Sequence, residues 1–148
     1  MLIDTENKGV GFALQGIKTE QFAIFEENYV AKKNIALGTG LQFKVDNQNK
    51  QIGTFISFEF VQAKKTFLKI EVSCHFKIEE TAWESFIQKN KLVVPKGFLA
   101  HLAMITTGTA RGVLFAKTEG TQFSKYIIPT INVAEMIDED ALFDMDIE

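Results

Sequence analysis

The sequence predicts an α+β fold: a four-stranded antiparallel sheet with one face covered by a long C-terminal helix. Three observations carry this. From Leu68 to Glu79, apolar and polar residues alternate without a break, the period-two mark of a strand with one buried face. A short polar link, Ala63-Lys64-Lys65-Thr66, joins it to a second alternating run, Ile56, Phe58 and Phe60 against Ser57 and Glu59. The two read as an antiparallel hairpin, greasy on one side only. Beyond Gly97 the spacing changes. Phe98, Leu102, Ile105, Thr109 and Val113 fall near one face of a helix that runs to about Lys117.

The remaining elements follow in order. Phe12, Leu14 and Ile17, then Phe22, Ile24 and Phe25, read as one long strand bulged near Gly16, or as two short ones. Asn28 to Gly40 is mixed in character and carries Gly38 and Gly40 near its end, so it reads as a loop. Leu41, Phe43 and Val45 alternate with Gln42, Lys44 and Asp46 as a half-buried strand, and Asn47 to Lys50 turns the chain. Thr81-Ala82-Trp83-Glu84 fits a capping box that starts a short helix or turn through about Gln88. Leu92-Val93-Val94 is extended before Pro95. Gly120 is the natural stop for the long helix. Tyr126 to Pro129 is extended again, and the acidic tail 138–148 reads as a frayed helix or a flexible end.

Bulk properties bound the function classes. A chain of 148 residues is the size of one domain, here residues 1–148, and can bury roughly 68–70% of its unfolded surface without a disulfide or metal. The net charge is −3, with no Lys/Arg cluster longer than a pair, which disfavours nucleic acid. A single cysteine, Cys74, excludes an internal disulfide and a cysteine-rich zinc site. Met1 to Glu6 has neither a basic nor an apolar leader segment, and no apolar run approaches the ~18 residues of a membrane span. A cytoplasmic protein that does not insert in membranes is expected. Phenylalanine is unusually abundant, 14 against two Tyr and one Trp. Some of these rings are candidates for a contact surface rather than a closed core.

Candidate chemistry is sparse. Cys74 and His75 are adjacent, but neighbours on a strand point to opposite faces, so they form no nucleophile–base pair. Cys74 reads as a small core residue. His101 on the helix meets no carboxylate pattern suited to a metal. Thr106 to Gly112 lacks the order of a phosphate loop. No catalytic, metal or cofactor site is expected, and the chain does not read as an enzyme. Gly108 and Gly112 share a helix face, and each costs roughly 1 kcal/mol relative to Ala. That stripe implies close approach, either to a partner helix or to the protein's own sheet. Arg111, between them, pairs with an acidic group across an interface or is solvated.

The order of features resembles the SecB family of export chaperones, over roughly Gly11 to Ile137. Phe12-Ala13-Leu14-Gln15-Gly16-Ile17-Lys18-Thr19 with Phe22 looks like that family's first strand. Arg111-Gly112 is similar to its Arg-Gly, and Ile127-Ile128-Pro129-Thr130-Ile131-Asn132-Val133 to its apolar-Pro stretch. The helix opens with Phe98-Leu99-Ala100-His101 where the family has Phe-Pro-Tyr-Ala-Arg, so docking to an export motor is not carried over. The resemblance implies a homotetramer, a dimer of dimers with long helices packed across an interface, for which Gly108, Arg111 and Gly112 are the candidate residues. It implies a protein-transport role holding unfolded or precursor polypeptides without ATP. Trp83, Phe86 and Phe98 are the candidates for lining the polypeptide groove, or else they close the core over the sheet. The alternative is a non-enzymatic structural or regulatory module of the same fold, for example mobile-element or toxin–antitoxin associated, without general client binding.

Overall fold

A computed structural model describes residues 9–145. Residues 1–8, which include the N-terminal stretch read above as lacking a leader, and residues 146–148 of the acidic tail lie outside the described residues. Four long strands form the main sheet: β1 (Phe12–Ile24), β2 (Ala36–Asp46), β3 (Gln51–Gln62) and β4 (Lys65–Ile78). All pairings are antiparallel and the spatial order is β1-β4-β3-β2. The inward set Ile56, Phe58, Phe60, Leu68, Ile70, Val72, Cys74, Phe76 and Ile78 is buried, as the alternation predicts.

β1 is one strand with two bulges. Its register against β4 slips between Leu14 and Gly16 and again between Thr19 and Gln21. Each extra residue flips the side-chain parity, so Phe12, Leu14, Ile17, Phe22 and Ile24 stay on the inner face although their spacing is uneven.

The loop expected over Asn28 to Gly40 is corrected in its second half. A 3-10 turn at Glu26–Asn28 is followed by coil, and β2 already begins at Ala36. Gly38 and Gly40 are strand residues facing outward, opposite Glu59 and Ser57. A Cβ on Gly40 would lie 2.5 Å from the Ser57 hydroxyl oxygen, so the glycine makes room for its cross-strand neighbour. At the other end of the hairpin, Ala63 and Lys64 adopt φ of 47° and 65°. Both central residues of a two-residue hairpin loop need φ > 0 to follow the strand twist.

The crossover differs more. The helix α1 spans Glu80–Ser85 and its N-cap is Glu79, so Thr81 lies inside it. The Thr81 hydroxyl donates to Glu79 Oε1 at 2.7 Å instead of capping. Ile87–Gln88 (β5) and Lys91–Val94 (β6) then form a small hairpin. The long helix α2 spans Lys96–Thr118, with Pro95 as N-cap, and Gly120 at φ 81° follows its C-cap as expected. The tail is not wholly flexible: Ala141–Asp144 forms β7, which pairs with β6 and completes a second sheet of order β5-β6-β7.

α2 lays Leu99, Leu102, Ala103, Ala110 and Leu114 on the sheet, which corrects the expected face: of its members only Leu102 is buried, and Phe98, Ile105, Thr109 and Val113 are half-buried beside it. It contacts β3 and β4. Although the sequence holds no unbroken apolar run of that length, α2 as a whole is long and apolar enough by length and composition to cross a membrane; one side of it is spent on the core. After α2, Phe123, Ile128 and Val133 are buried against the same core. There Tyr29, Phe60, Phe67, Phe123 and Tyr126 form a ring cluster with centroid separations of 5.0–6.4 Å.

The two tyrosine hydroxyls meet at 2.6 Å. Burial, with the bond to Tyr29, pushes Tyr126 up to about 12. The bond from Tyr126, aided by Lys125, lowers Tyr29. These are the chain's two tyrosines, so tyrosinate absorbance reports this pair alone. Two steps straddling the ordinary value of about 10 are expected in the native protein, and one step in denaturant. Between pH 10 and about 12 the native state keeps the Tyr126 proton that the unfolded chain releases, so stability falls across that window. Tyr29 acts in the opposite sense below pH 10. A single native step at the ordinary value would count against the pairing.

Candidate functional site

The structure places the groove candidates differently from one another. Trp83 is 2% exposed and Phe86 4%, both inside a second core with Ile52, Phe76, Ile78, Leu92, Val94 and Leu99. The expectation of a groove lining is corrected for these two, because α1 is short and turns its apolar face onto the end of the sheet. Phe98 is half-buried, its ring 5.4 Å from Phe12 and 5.9 Å from Phe86.

Uncovered apolar surface lies elsewhere. One helix is about 10 Å across and neighbouring strands are about 4.8 Å apart, so α2 masks the two central strands and not the flanks. On the β1 side Leu14 and Ile17 are exposed although they face inward, and Met104 of α2 is 60% exposed. On the β2 side an open groove of about 550 Å³ is lined by Leu41, Phe43, Leu99, Met136, Ile137 and Leu142. Leu142, on β7, is 67% exposed.

Asp138, Glu139 and Asp140 rim the same groove. Asp140 Oδ1 accepts the backbone N–H of Lys96 at 2.9 Å and so anchors the tail to the start of α2. Asp144 is paired with Lys91, whose hydrogen bond and charge hold its carboxyl below the usual range.

Beside the groove runs an open strand edge. β2 pairs with β3 on one side, and no other backbone hydrogen bond reaches it among the described residues. Its register is unbroken over 11 residues, and Ala36 to Phe43 carries no charge or proline. An unbulged, uncharged edge is a template for strand addition. β1, the other edge, is interrupted by its two bulges and carries Lys18 and Glu20.

The interface candidates divide. A Cβ on Gly108 or Gly112 would meet nothing within 4 Å, so close packing on the protein's own sheet is not their reason. Both lie on the exposed side of α2, with Met104 and Phe115. Arg111 is tied into its own chain. Its Nε donates to the Ile128 carbonyl at 2.7 Å and its Nη2 to the Pro129 carbonyl at 2.9 Å. It therefore pins the extended segment across α2, instead of reaching an acidic partner or solvent.

The remaining candidates are structural. Cys74 is buried on the inner face. His101 packs edge-on against Phe12 at 5.6 Å. Among the described residues no group of three or more potential metal ligands converges. One polar cluster escaped the sequence reading because it joins two strands. Ser73 donates to Glu20 Oε1 at 2.7 Å and lies 2.9 Å from His75 Nε2. A hydroxyl has one proton, so with it given to Glu20 the imidazole donates to Ser73. Ser73 has no accessible surface and cannot meet a substrate.

No protein-family model matches the chain, and no curated protein matches it.

Proposed function

We propose that this chain is a SecB-like holdase that captures extended, partly apolar polypeptide segments without ATP and without catalysis. The observation that carries this is a single helix covering only the two central strands, which leaves an 11-residue open edge beside an apolar groove. Backbone pairing along β2 supplies affinity that is indifferent to sequence, and the groove takes alternate side chains. Binding the unfolded form of a client withdraws it from aggregation by mass action.

The same reading makes the protein a homo-oligomer, a dimer of dimers in the cytoplasm. The glycines of α2 give up helix stability with no return among the described residues of one subunit. A second copy's helix seated over Gly108 and Gly112 is the simplest return, with Met104 and Phe115 as its apolar flanks. The sealed Trp83 and Phe86 favour a second reading, a module dedicated to one partner, because they remove rings that a general client surface would use.

The protein is expected to suppress aggregation of a chemically denatured enzyme, without nucleotide, as an oligomer by light scattering. Leu142→Glu, at an exposed groove position, is expected to weaken suppression about tenfold, the loss of one buried leucine contact. Gly108→Leu is expected to yield smaller species. No suppression by the folded protein rules out the holdase, and suppression confined to one partner selects the module.

A further inference from the structure

We propose that the β2 edge reads the order of charges along the segment it captures. The inference rests on the capture reading and goes beyond it, because it assigns a direction to the bound chain.

Fixed charge differs at the two ends of β2. At its start lie Lys32 and Lys33, in the loop before Ala36, and Lys64 and Lys65, at the β3–β4 turn. The loop and the turn are held together: the Val30 N–H donates to Gln62 Oε1 at 2.9 Å, and Gln62 Nε2 donates to the Val30 carbonyl at 2.8 Å. Phe25, Val30 and Ile35 are exposed among these lysines. Glu26 and Glu27 precede them and offset part of the charge. Further along, beside Leu41 and Phe43, the groove is rimmed by Asp138, Glu139 and Asp140. Asp46 closes the strand there, with Lys44 facing outward over the Phe55 ring. Among the described residues, none of the four lysines and none of the three rim carboxylates forms an ion pair.

Eleven residues of antiparallel strand span about 35 Å, several times the screening length of about 8 Å at physiological salt. The two ends therefore act on a bound segment as separate fields. Every strand pairing among the described residues is antiparallel, and antiparallel addition is the more stable per residue. An antiparallel segment places its C-terminal part at the lysines and its N-terminal part at the acidic groove. The favoured occupant reads basic first, apolar at alternate positions, and acidic last.

The test uses two synthetic peptides matched to the 11 residues of β2, identical in composition and apolar centre. One carries two lysines at the start and two glutamates at the end, and the other has them exchanged. Titration of the full-length protein followed by fluorescence anisotropy is expected to show the first binding about tenfold tighter at low salt. The ratio should fall towards one in molar salt, and in the variant Asp138→Lys/Glu139→Lys, whose positions are both exposed. Equal binding of the two peptides overturns the charge order and leaves the capture reading standing. Binding of neither overturns both. The reverse preference, or a peptide affinity that weakens as protein concentration rises because a second copy fills the edge, also overturns the inference.

Discussion

Trp83→Ala is expected to destabilise the protein by about 3–5 kcal/mol, the usual cost of deleting a buried aromatic. For a chain of this size that lowers the melting temperature by roughly 6–20 °C. The indole sits at 2% exposure among Ile52, Phe76, Ile78, Leu92 and Leu99, contributed by the main sheet, the small hairpin and α2. Removing it opens a cavity that no single element can collapse into. Backbone bonds tie the same corner: the Phe86 carbonyl accepts the Val93 N–H at 2.8 Å, so loosening α1 also loosens the second sheet. Thermal unfolding of the variant separates two roles. A residue that lined a surface groove would change the melting temperature little and client affinity much. A core residue does the reverse.

The second large effect concerns Arg111. Arg111→Met is expected to destabilise by about 2–3 kcal/mol, since two charge-assisted hydrogen bonds are lost while the methylene stem is kept. The guanidinium fork spans the carbonyls of adjacent residues, Ile128 and Pro129. A lysine has one point of contact, so Arg111→Lys should recover only part of the loss. The damage should be local as well as global. Hydrogen exchange is expected to accelerate first over residues 121–137, while the β3 and β4 amides remain the slowest. Uniform acceleration over the whole chain would show that the clasp has no privileged segment.

How much could be read in advance depends on where each element finds its partners. β3 and β4 advertise themselves because each buries one face along its whole length, and alternation is the direct imprint of that. α2 is legible as a helix, but not by its buried face, because small Ala103, Thr106 and Ala110 meet the sheet while the bulkier Phe98, Ile105 and Val113 sit at its margin. β1 was recognisable as apolar but ambiguous, because each bulge at Gln15 and Glu20 resets the period. The first half of β2 looked like a loop because Gly38 and Gly40, the usual marks of a turn, serve there as small outward neighbours of Glu59 and Ser57. Of the second sheet only β6 is legible, as the extended Leu92-Val93-Val94 before Pro95. β5 has two residues, and β7 is four residues of an acidic tail paired with β6 across some fifty positions. Thr81 carried the right pattern for a cap, but its hydroxyl found Glu79 Oε1 first.

For the candidate site, sequence spacing identified the glycine stripe on α2 but not whether it faces inward or outward. It named aromatic rings as the groove because rings are conspicuous. The groove is instead floored by Leu41, Phe43 and Leu99 and walled by Met136, Ile137 and Leu142. It arises where a tail segment crosses beside a sheet edge, a juxtaposition with no local signature.

The two kinks in β1 have a further consequence. A flat ribbon with two matching borders can stack copies without limit, which is how fibrils propagate. Here one border is crimped and charged while the other is smooth. The smooth border of one copy finds no matching border on the crimped side of the next, so a ribbon of repeated sheets cannot propagate and the smooth border stays available to other chains.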